Sequence, residues 1–342
     1  MDIDQAARCQ CLDINKLTWS EEISHVLDVD LNTILPQPKA VDEIIGYITD
    51  NAAKQTGLIS GIPVVAGCSD AMASMYATGL SKIGEAGESS GTTSRVFVGH
   101  NKQSASNLPV VTKPCSIEGM PYLFDAPIST SGASIKWFLD NLGNEEITYA
   151  SNNNINVYEH INELALKVNP GSNGVIYFPY LLGERAPLWN SYAKGMFIGL
   201  SLGTTRNDII RSVFEGTAYA LRHVITIIKD AGASVNCLRI TGGGAKSHTW
   251  SQIKASMLRI PVLILDDKSG DVPFGDTLIA GHAVGVFPDL TESINRLIQV
   301  KEIIQPVDQW ADAYDKLYPY YIDMYQDLDK DLFRYQKTLS NL

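Results

Sequence analysis

One carboxylate and three glycine turns carry the residue types and spacing in this sequence that suit chemistry. Asp70 stands in the run VVAGCSDAMA (64–73), behind the small residues Ala66, Gly67, Cys68 and Ser69. An acid at the mouth of an apolar strand can take a proton from a hydroxyl within hydrogen-bond reach, as a general base does. The same acid can cap the helix that follows it, and the residues alone leave both roles open. The turns are Gly91-Thr92-Thr93-Ser94, GLSLG at 199–203, and Gly242-Gly243-Gly244-Ala245-Lys246-Ser247. Glycine turns ahead of a helix offer close backbone approach and free N–H donors to a phosphate or ribose. Any tight turn with positive φ wants glycine too, so each turn also has a purely structural reading. Neither G-x-x-x-x-G-K-[ST] nor G-x-G-x-x-G occurs, so the chain has neither a Walker loop nor a dinucleotide fingerprint.

Other polar residues carry less. Lys246 falls in a first helical turn, where solvent exposure is the common fate. His248 and His282 have no second histidine at metal spacing and read as surface or packing residues. The five cysteines include one C-x-C, Cys9-Gln10-Cys11, without a second half, and read as reduced thiols with no metal site. Glu184-Arg185, an acid and a base in a loop after an apolar strand, reads either as a structural ion pair or as a site element.

These residues sit on a regular run of elements. The first sixty residues are polar and helical in flavour, with TWSEEISHVLDV opened by Thr18 or Ser20 and a second helix ending near Gly57. No strand cluster is expected there. From Gly61 onward IPVVAG reads as a buried strand and AMASMYATGL as a helix. Two strands flank Gly91-Thr92-Thr93, PYLFDAPIS is a strand, and a helix follows in TSGASIKWFLDNL. TRNDIIRSVFEGTAYALRHVITIIKDAG is the clearest helix: Ile210, Val213, Phe214, Thr217, Leu221, Val224, Ile225 and Ile228 fall on one face, and Gly232 ends it. Strand, glycine turn, helix and strand then follow in CLRITGGGAKSHTWSQIKASMLRIPVLILDD. The tail from Trp310 reads as helix. Strands alternating with helices indicate an α/β class.

At 342 residues, 45% hydrophobic and 19% charged, the chain has the composition of a soluble globular protein. No apolar run approaches the ~18 residues of a membrane span. The N-terminus lacks the pattern of a signal peptide, so a cytoplasmic location is expected. A net charge of -11 without a basic block argues against a nucleic-acid partner.

The order of the motifs is more specific than any one of them. VVAGCSDAMA, SSGTTSRVF, FPYLLGERAP, KGMFIGLSLGTTRNDIIRSVFEGTAYALR and ITGGGAKSHTWSQIKASMLRIPV follow one another from about Gly61 to Gly285. In that order they resemble the C-terminal domain of the FGGY family of carbohydrate kinases, most of all its xylulokinase-like members. MDIDQAARCQCLDINKLTWSEEI resembles the end of the family's N-terminal domain. The resemblance implies an actin-like ATPase fold of two RNase H-like domains. It implies transfer of the γ-phosphoryl group of ATP to a sugar hydroxyl, with a pentulose such as xylulose the first substrate class. Asp70 is then the general base, and Gly91 and Thr92 approach the β- and γ-phosphates. Gly203 and Asn207 fall at the phosphate–ribose region, and Gly243, Gly244 and Ser247 at the α-phosphate and adenosine. Mg²⁺ bridges the phosphates, with no metal ligands in the chain itself. The rival reading is a non-catalytic nucleotide-binding or interaction module derived from such a kinase.

The sequence departs from the family pattern twice. The family commonly has Asn or Gln directly after its catalytic acid, where this chain has Ala71. The Asp-Gly-Thr hairpin of the family's first domain does not occur. The expected division is therefore 1–60 as a remnant of the sugar-binding domain, most of which is missing, 61–288 as the nucleotide-binding domain, and 289–342 as a helical tail. Helices in 1–60 without a sheet to cover predict an uncovered apolar face, self-association into a homodimer or larger species, and little or no kinase activity by the chain alone.

Overall fold

The structure, a computed structural model, describes residues 1–102, 108–266 and 272–339. Its centre is a seven-stranded mixed sheet. The strands are β1 (Gly84–Ser90), β2 (Ser94–His100), β3 (Val111–Ile117), β4 (Met120–Ile128), β5 (Val235–Thr241), β6 (Val262–Leu265) and β7 (Val300–Ile304). Across the sheet they run in the order β7-β6-β5-β1-β2-β4-β3. β1, β5 and β6 are parallel, a hairpin meander extends antiparallel from β1, and β7 closes the far edge antiparallel to β6.

Alternation along the strands decides which helices cover which face. Val96 and Val98 of β2 point to one face, with Leu238 and Ile240 of β5. There they meet Leu221, Val224, Ile225 and Ile228 of α5 (Arg206–Asp230) and Ala255 of α6 (His248–Leu258). Phe97, between the two valines, points to the opposite face and packs with α2 (Asp70–Ala77), α7 (Val272–Ala283) and α8 (Leu290–Leu297). The small residues of α7 serve close approach: a Cβ at Gly275 would stand 1.9 Å from the Ala73 carbonyl oxygen of α2. A third cluster joins α5 and α6 to α3 (Gly132–Leu142), α4 (Val157–Leu166) and the tail helix α9 (Asp308–Leu328) through Phe138, Ile161, Phe214, Trp250 and Tyr321. The long helix read from its apolar stripe is thus the hinge of two cores. A capping box between Thr205 and Asp208 opens it, and Gly232 at φ +94° follows its end. No helix among the described residues is long and apolar enough to cross a membrane.

Several elements differ from the sequence expectation. IPVVAG forms a strand only over Pro63–Val65, half-exposed, and pairs with Ile44–Tyr47 rather than joining the main sheet. Gly61 and Gly67 at positive φ bracket it, and Pro63 has no N–H to offer a central ladder. The first sixty residues hold this ladder strand and a small hairpin, Leu12–Asp13 with Thr18–Trp19. They are also anchored to the sheet: α1 (Ile3–Arg8) buries Asp4 against Lys113 of β3. The segment expected to be helical from 289 contains the sheet strand β7.

Candidate active site

Five chain segments meet around a cavity of about 570 Å³. Gly91 and Thr92 come from the β1–β2 turn, and Gly132, Ala133 and Lys136 from the start of α3. Asn156, Tyr158, Glu159 and Asn162 come from α4 and the residue capping it, and Gly243, Gly244, Lys246 and Ser247 from the turn between β5 and α6. Phe214 of α5 and Trp250 of α6 complete the wall with Ile135. One region of the wall is therefore apolar and aromatic, the other glycine-rich at the N-termini of α3 and α6. Helix starts carry partial positive charge and favour an anion.

Two of the glycines, Gly242 and Gly244, are fixed by close packing. Gly242 has φ +85°, and a Cβ there would lie 2.6 Å from the Ser90 carbonyl oxygen. A Cβ on Gly244 would meet Ser90 Oγ at 2.2 Å and the Trp250 ring at 2.9 Å. The two glycine turns thus touch. The β1–β2 turn is seated in α3: Gly132 N–H donates to the Gly91 carbonyl at 3.0 Å, and Ser131 and Ala133 N–H donate to that of Thr92 at 3.1 and 3.0 Å. Behind both turns lies a buried ion pair in which Lys254 Nζ donates to Glu88 Oε1 at 2.7 Å, Glu88 Oε2 at 2.9 Å and Ser90 Oγ at 3.2 Å. Burial holds the Lys254 ammonium below its ordinary pKa, against the pull of Glu88. Ser247 caps α6 by accepting from Trp250 N–H at 3.1 Å, and its hydroxyl donates to Asn162 Oδ1 at 2.8 Å.

Asp70 occupies a different corner. It is exposed, the first residue of α2, and its Oδ1 accepts from Ala71 N–H at 2.7 Å. The helix cap is its neighbour Ser69, which accepts from Met72 N–H at 3.4 Å. The capping alternative for Asp70 therefore falls to Ser69. Ser69 is held in turn: its hydroxyl donates to buried Asp4 Oδ2, and Arg8 Nη2 donates to it at 3.1 Å. Asp4 Oδ1 accepts from Lys113 Nζ at 2.7 Å, Lys113 pairs with Asp125 at 2.8 Å, and Arg95 Nε donates to Asp125 at 2.6 Å. Burial by itself pushes the Asp4 and Asp125 carboxyls up, but the neighbouring cations hold both below the usual range. Asp70 is among the charges acting on Arg95, which keeps its proton more tightly than usual despite burial.

Of the residues singled out from the sequence, Gly91, Thr92, Gly243, Gly244 and Ser247 line the cavity together. Gly203 and Asn207 stand at the start of α5 and are not in its lining. Lys246, read as a solvent-facing lysine, is exposed and also lines the cavity. The α4 residues Tyr158 and Asn162 were not foreseen; Asn156 as an N-cap was the one local signal for that helix. Glu184 is not in an ion pair among the described residues: it is buried and accepts backbone N–H groups of Ser129 and Arg185. His282 pairs with Asp42, Nδ1 to Oδ2 at 2.8 Å.

A nucleotide fits this donor set, because glycine backbone and helix starts suit phosphates and the aromatic wall suits a flat base. No group of three or more His, Cys, Asp or Glu among the described residues could hold a metal ion. Mg²⁺ entering with a nucleotide would take its ligands chiefly from phosphate oxygens and water.

Comparisons with known proteins give the family and the fold. The model for the FGGY family of carbohydrate kinases, C-terminal domain, matches residues 88–284, and that for the N-terminal domain matches residues 1–77. The second match takes in Asp70 and its helix. A glycerol kinase of Saccharolobus islandicus is 32% identical over 317 residues, covering 90% of this chain and 58% of that protein. A xylulose kinase from Lactobacillus acidophilus superposes with a TM-score of 0.86 at 23% identity, covering 98% of this chain and 66% of that one. Plasmodium falciparum glycerol kinase with ADP superposes at 0.79 and 21% identity, over 95% of this chain and 63% of that one. The structural likenesses establish an actin-like ATPase fold, and this chain spans about three-fifths of the length of the curated relative. The chain belongs to the FGGY family of carbohydrate kinases.

Proposed function

We propose that the chain binds ATP in the cavity and serves transfer of its γ-phosphoryl group to a hydroxyl of a small sugar or polyol. The observation that carries this is the meeting of Gly91, Thr92, Gly243, Gly244 and Ser247 on one cavity from turns about 150 residues apart. The β1–β2 turn faces the terminal phosphates, the β5–α6 turn faces the α-phosphate and ribose, and the aromatic wall takes the base. Gly203 and Asn207, before and within the first turn of α5, lie outside the cavity lining and are given no part in this reading. Asp70 is the general base: exposed and preset at a helix start, it can reach a substrate hydroxyl and accept its proton as the phosphoryl group arrives. Mg²⁺ supplies charge neutralisation on the phosphates when bound.

A pentulose such as xylulose is the first substrate to test, from the GERAP and GGGAKS segments, and glycerol the second, from the name of the curated relative. The decisive experiment measures ADP release by the purified chain with each compound, beside calorimetry with Mg-ATP. Sugar-dependent ADP release supports the kinase reading. Binding without release on any substrate returns the rival reading, a non-catalytic nucleotide-binding or interaction module. No binding by folded protein at millimolar nucleotide overturns both.

A further inference from the structure

We infer that Glu184 is a positioning residue for the phosphate end of the cavity: through Ser129 it fixes the segment in which the Gly91–Thr92 turn is seated. The inference rests on the nucleotide reading above. Glu184 Oε1 accepts from Ser129 N–H at 2.6 Å and from Arg185 N–H at 2.8 Å. Ser129 leads directly into Ser131, Gly132 and Ala133, whose N–H groups hold the carbonyls of Gly91 and Thr92. The same two strands of chain are joined again where Ala186 N–H donates to the Pro127 carbonyl at 3.0 Å and where the Thr130 hydroxyl donates to that of Pro179. Backbone bonds could close this seam unaided. A carboxylate has been buried in it instead, and its Oε2 has no hydrogen-bond partner among the described residues.

A buried carboxylate with one bare oxygen is costly unless it does something a backbone carbonyl cannot. What it adds is a bond strength that depends on charge, because an ionised acceptor holds N–H groups more tightly than a neutral one. The groups facing it are Arg185 on its own loop, the Ser129 hydroxyl, and the hydroxyls of Tyr180 and of Tyr321 on α9, bonded to each other at 2.9 Å. Burial pushes the Glu184 carboxyl up to about 7, against the N–H groups of Ser129 and Arg185. Its proton is therefore exchanged in the neutral range. Loss of that proton tightens the hold on Ser129 and stiffens the seat of the turn. By linkage, a ligand that needs the stiff seat draws the proton off.

The test is Mg-ADP affinity by calorimetry between about pH 6 and pH 8, on the wild-type chain and on Glu184→Gln. Titration of the ADP phosphate occurs in both and cancels in the ratio of affinities. The ratio should rise with pH by about fivefold in favour of the wild type, the scale of one charge-assisted bond exchanged for a neutral one. A ratio that stays flat, with ADP bound by both proteins, overturns this inference and leaves the nucleotide site standing. No binding by the wild type overturns the site itself and the inference with it. A second measurement needs no variant: the carboxyl carbon shifts of ¹³C-labelled glutamate in the wild type, titrated with and without Mg-ADP. A glutamate titrating near neutrality whose midpoint falls on binding is expected, and the absence of such a resonance or of its shift overturns the inference.

Discussion

Around the cavity Gly91, Gly132, Gly243 and Gly244 leave backbone bare, whereas the corner behind Asp70 packs Asp4, Arg8, Arg95, Lys113 and Asp125 into one network. The cavity side brings its two glycine turns into close backbone contact and holds one ion pair, Glu88 with Lys254, buried behind them. The acid side adds buried charged side chains to its sheet ladders and apolar packing, tying α1, β2, β3, β4 and the cap of α2 together. Under the proposed function the difference follows from what each side would meet. A phosphate chain brings its own charge and needs fixed dipoles at short range, which glycine turns at helix starts supply. A general base brings the charge itself, so its surroundings must set its position without neutralising it. Held by Ser69 and Asp4, the start of α2 presents Asp70 to solvent with no cation bonded to it among the described residues.

The largest effect expected from breaking this comparison is at Asp70. Asp70→Asn keeps shape and removes the base, so sugar-dependent turnover should fall by ~10²–10⁴-fold. Mg-ADP affinity, a property of the other side, should stay within about twofold. A variant with near-normal turnover removes Asp70 from the chemistry. Next in size is Lys113→Met, which leaves Asp125 to Arg95, and Asp4 to the Ser69 hydroxyl and Arg8 at 3.9 Å, and should cost ~3–5 kcal/mol in denaturant unfolding. The pH dependence sharpens it. Asp4 and Asp125 have folded-state pKa values below their unfolded ones, so the stability they add is present above about pH 4 and is lost as pH falls through the folded values. Lys113→Met should flatten that acid slope, and an unchanged slope would assign it to other groups.

The same division governs what was legible in the sequence. The α5 stripe, the strand pairs and the glycine turns are local patterns, and each is found where it was read. The Asp4–Lys113 pair spans 109 residues, and no periodicity marks it. Tyr158 and Asn162 line the cavity because tertiary packing brings the start of α4 over it, while their own helix reads as an ordinary amphipathic surface. Strand β7, with Lys301 and Glu302 on an exposed edge, lacks the apolar alternation that marks a buried strand. Ser69 and Asp70 are both cap-forming types side by side, and only the backbone angles of Ser69, φ -70° and ψ 158°, decide between them.

On the cavity side the third test compares neighbouring glycines. Gly244→Ala forces a methyl onto Ser90 Oγ, which Lys254 already holds at 3.2 Å, and onto the Trp250 ring, so neither neighbour can give way freely. Overpacking of this kind should cost ~1–3 kcal/mol and loosen the cradle for Mg-ADP. Gly243→Ala meets nothing within 4 Å. Its stability should stay within about 0.5 kcal/mol of wild type. Equal destabilisation by the two variants would mean that the turns are not in contact in solution.

The smallest expected effect is at the cavity rim. The chain carries a net charge of -11, so an anionic nucleotide approaches against the field of the whole molecule. Lys246 and Lys136 are the cations in the cavity lining, and Lys136 is committed to Asp140 at 2.6 Å. Lys246, exposed in the turn before α6, is therefore the one placed to offset the repulsion. An exposed charge pair is worth ~0.2–1 kcal/mol, so Lys246→Ala should weaken Mg-ADP about threefold at low ionic strength. Because the Debye length falls from about 30 Å at 0.01 M salt to about 3 Å at 1 M, that difference should vanish at high salt. The effect of Gly244→Ala arises from contact and should persist there. A Lys246→Ala loss that survives high salt would mean direct bonding to the phosphates, and the glycine turns would no longer account for anion binding by themselves.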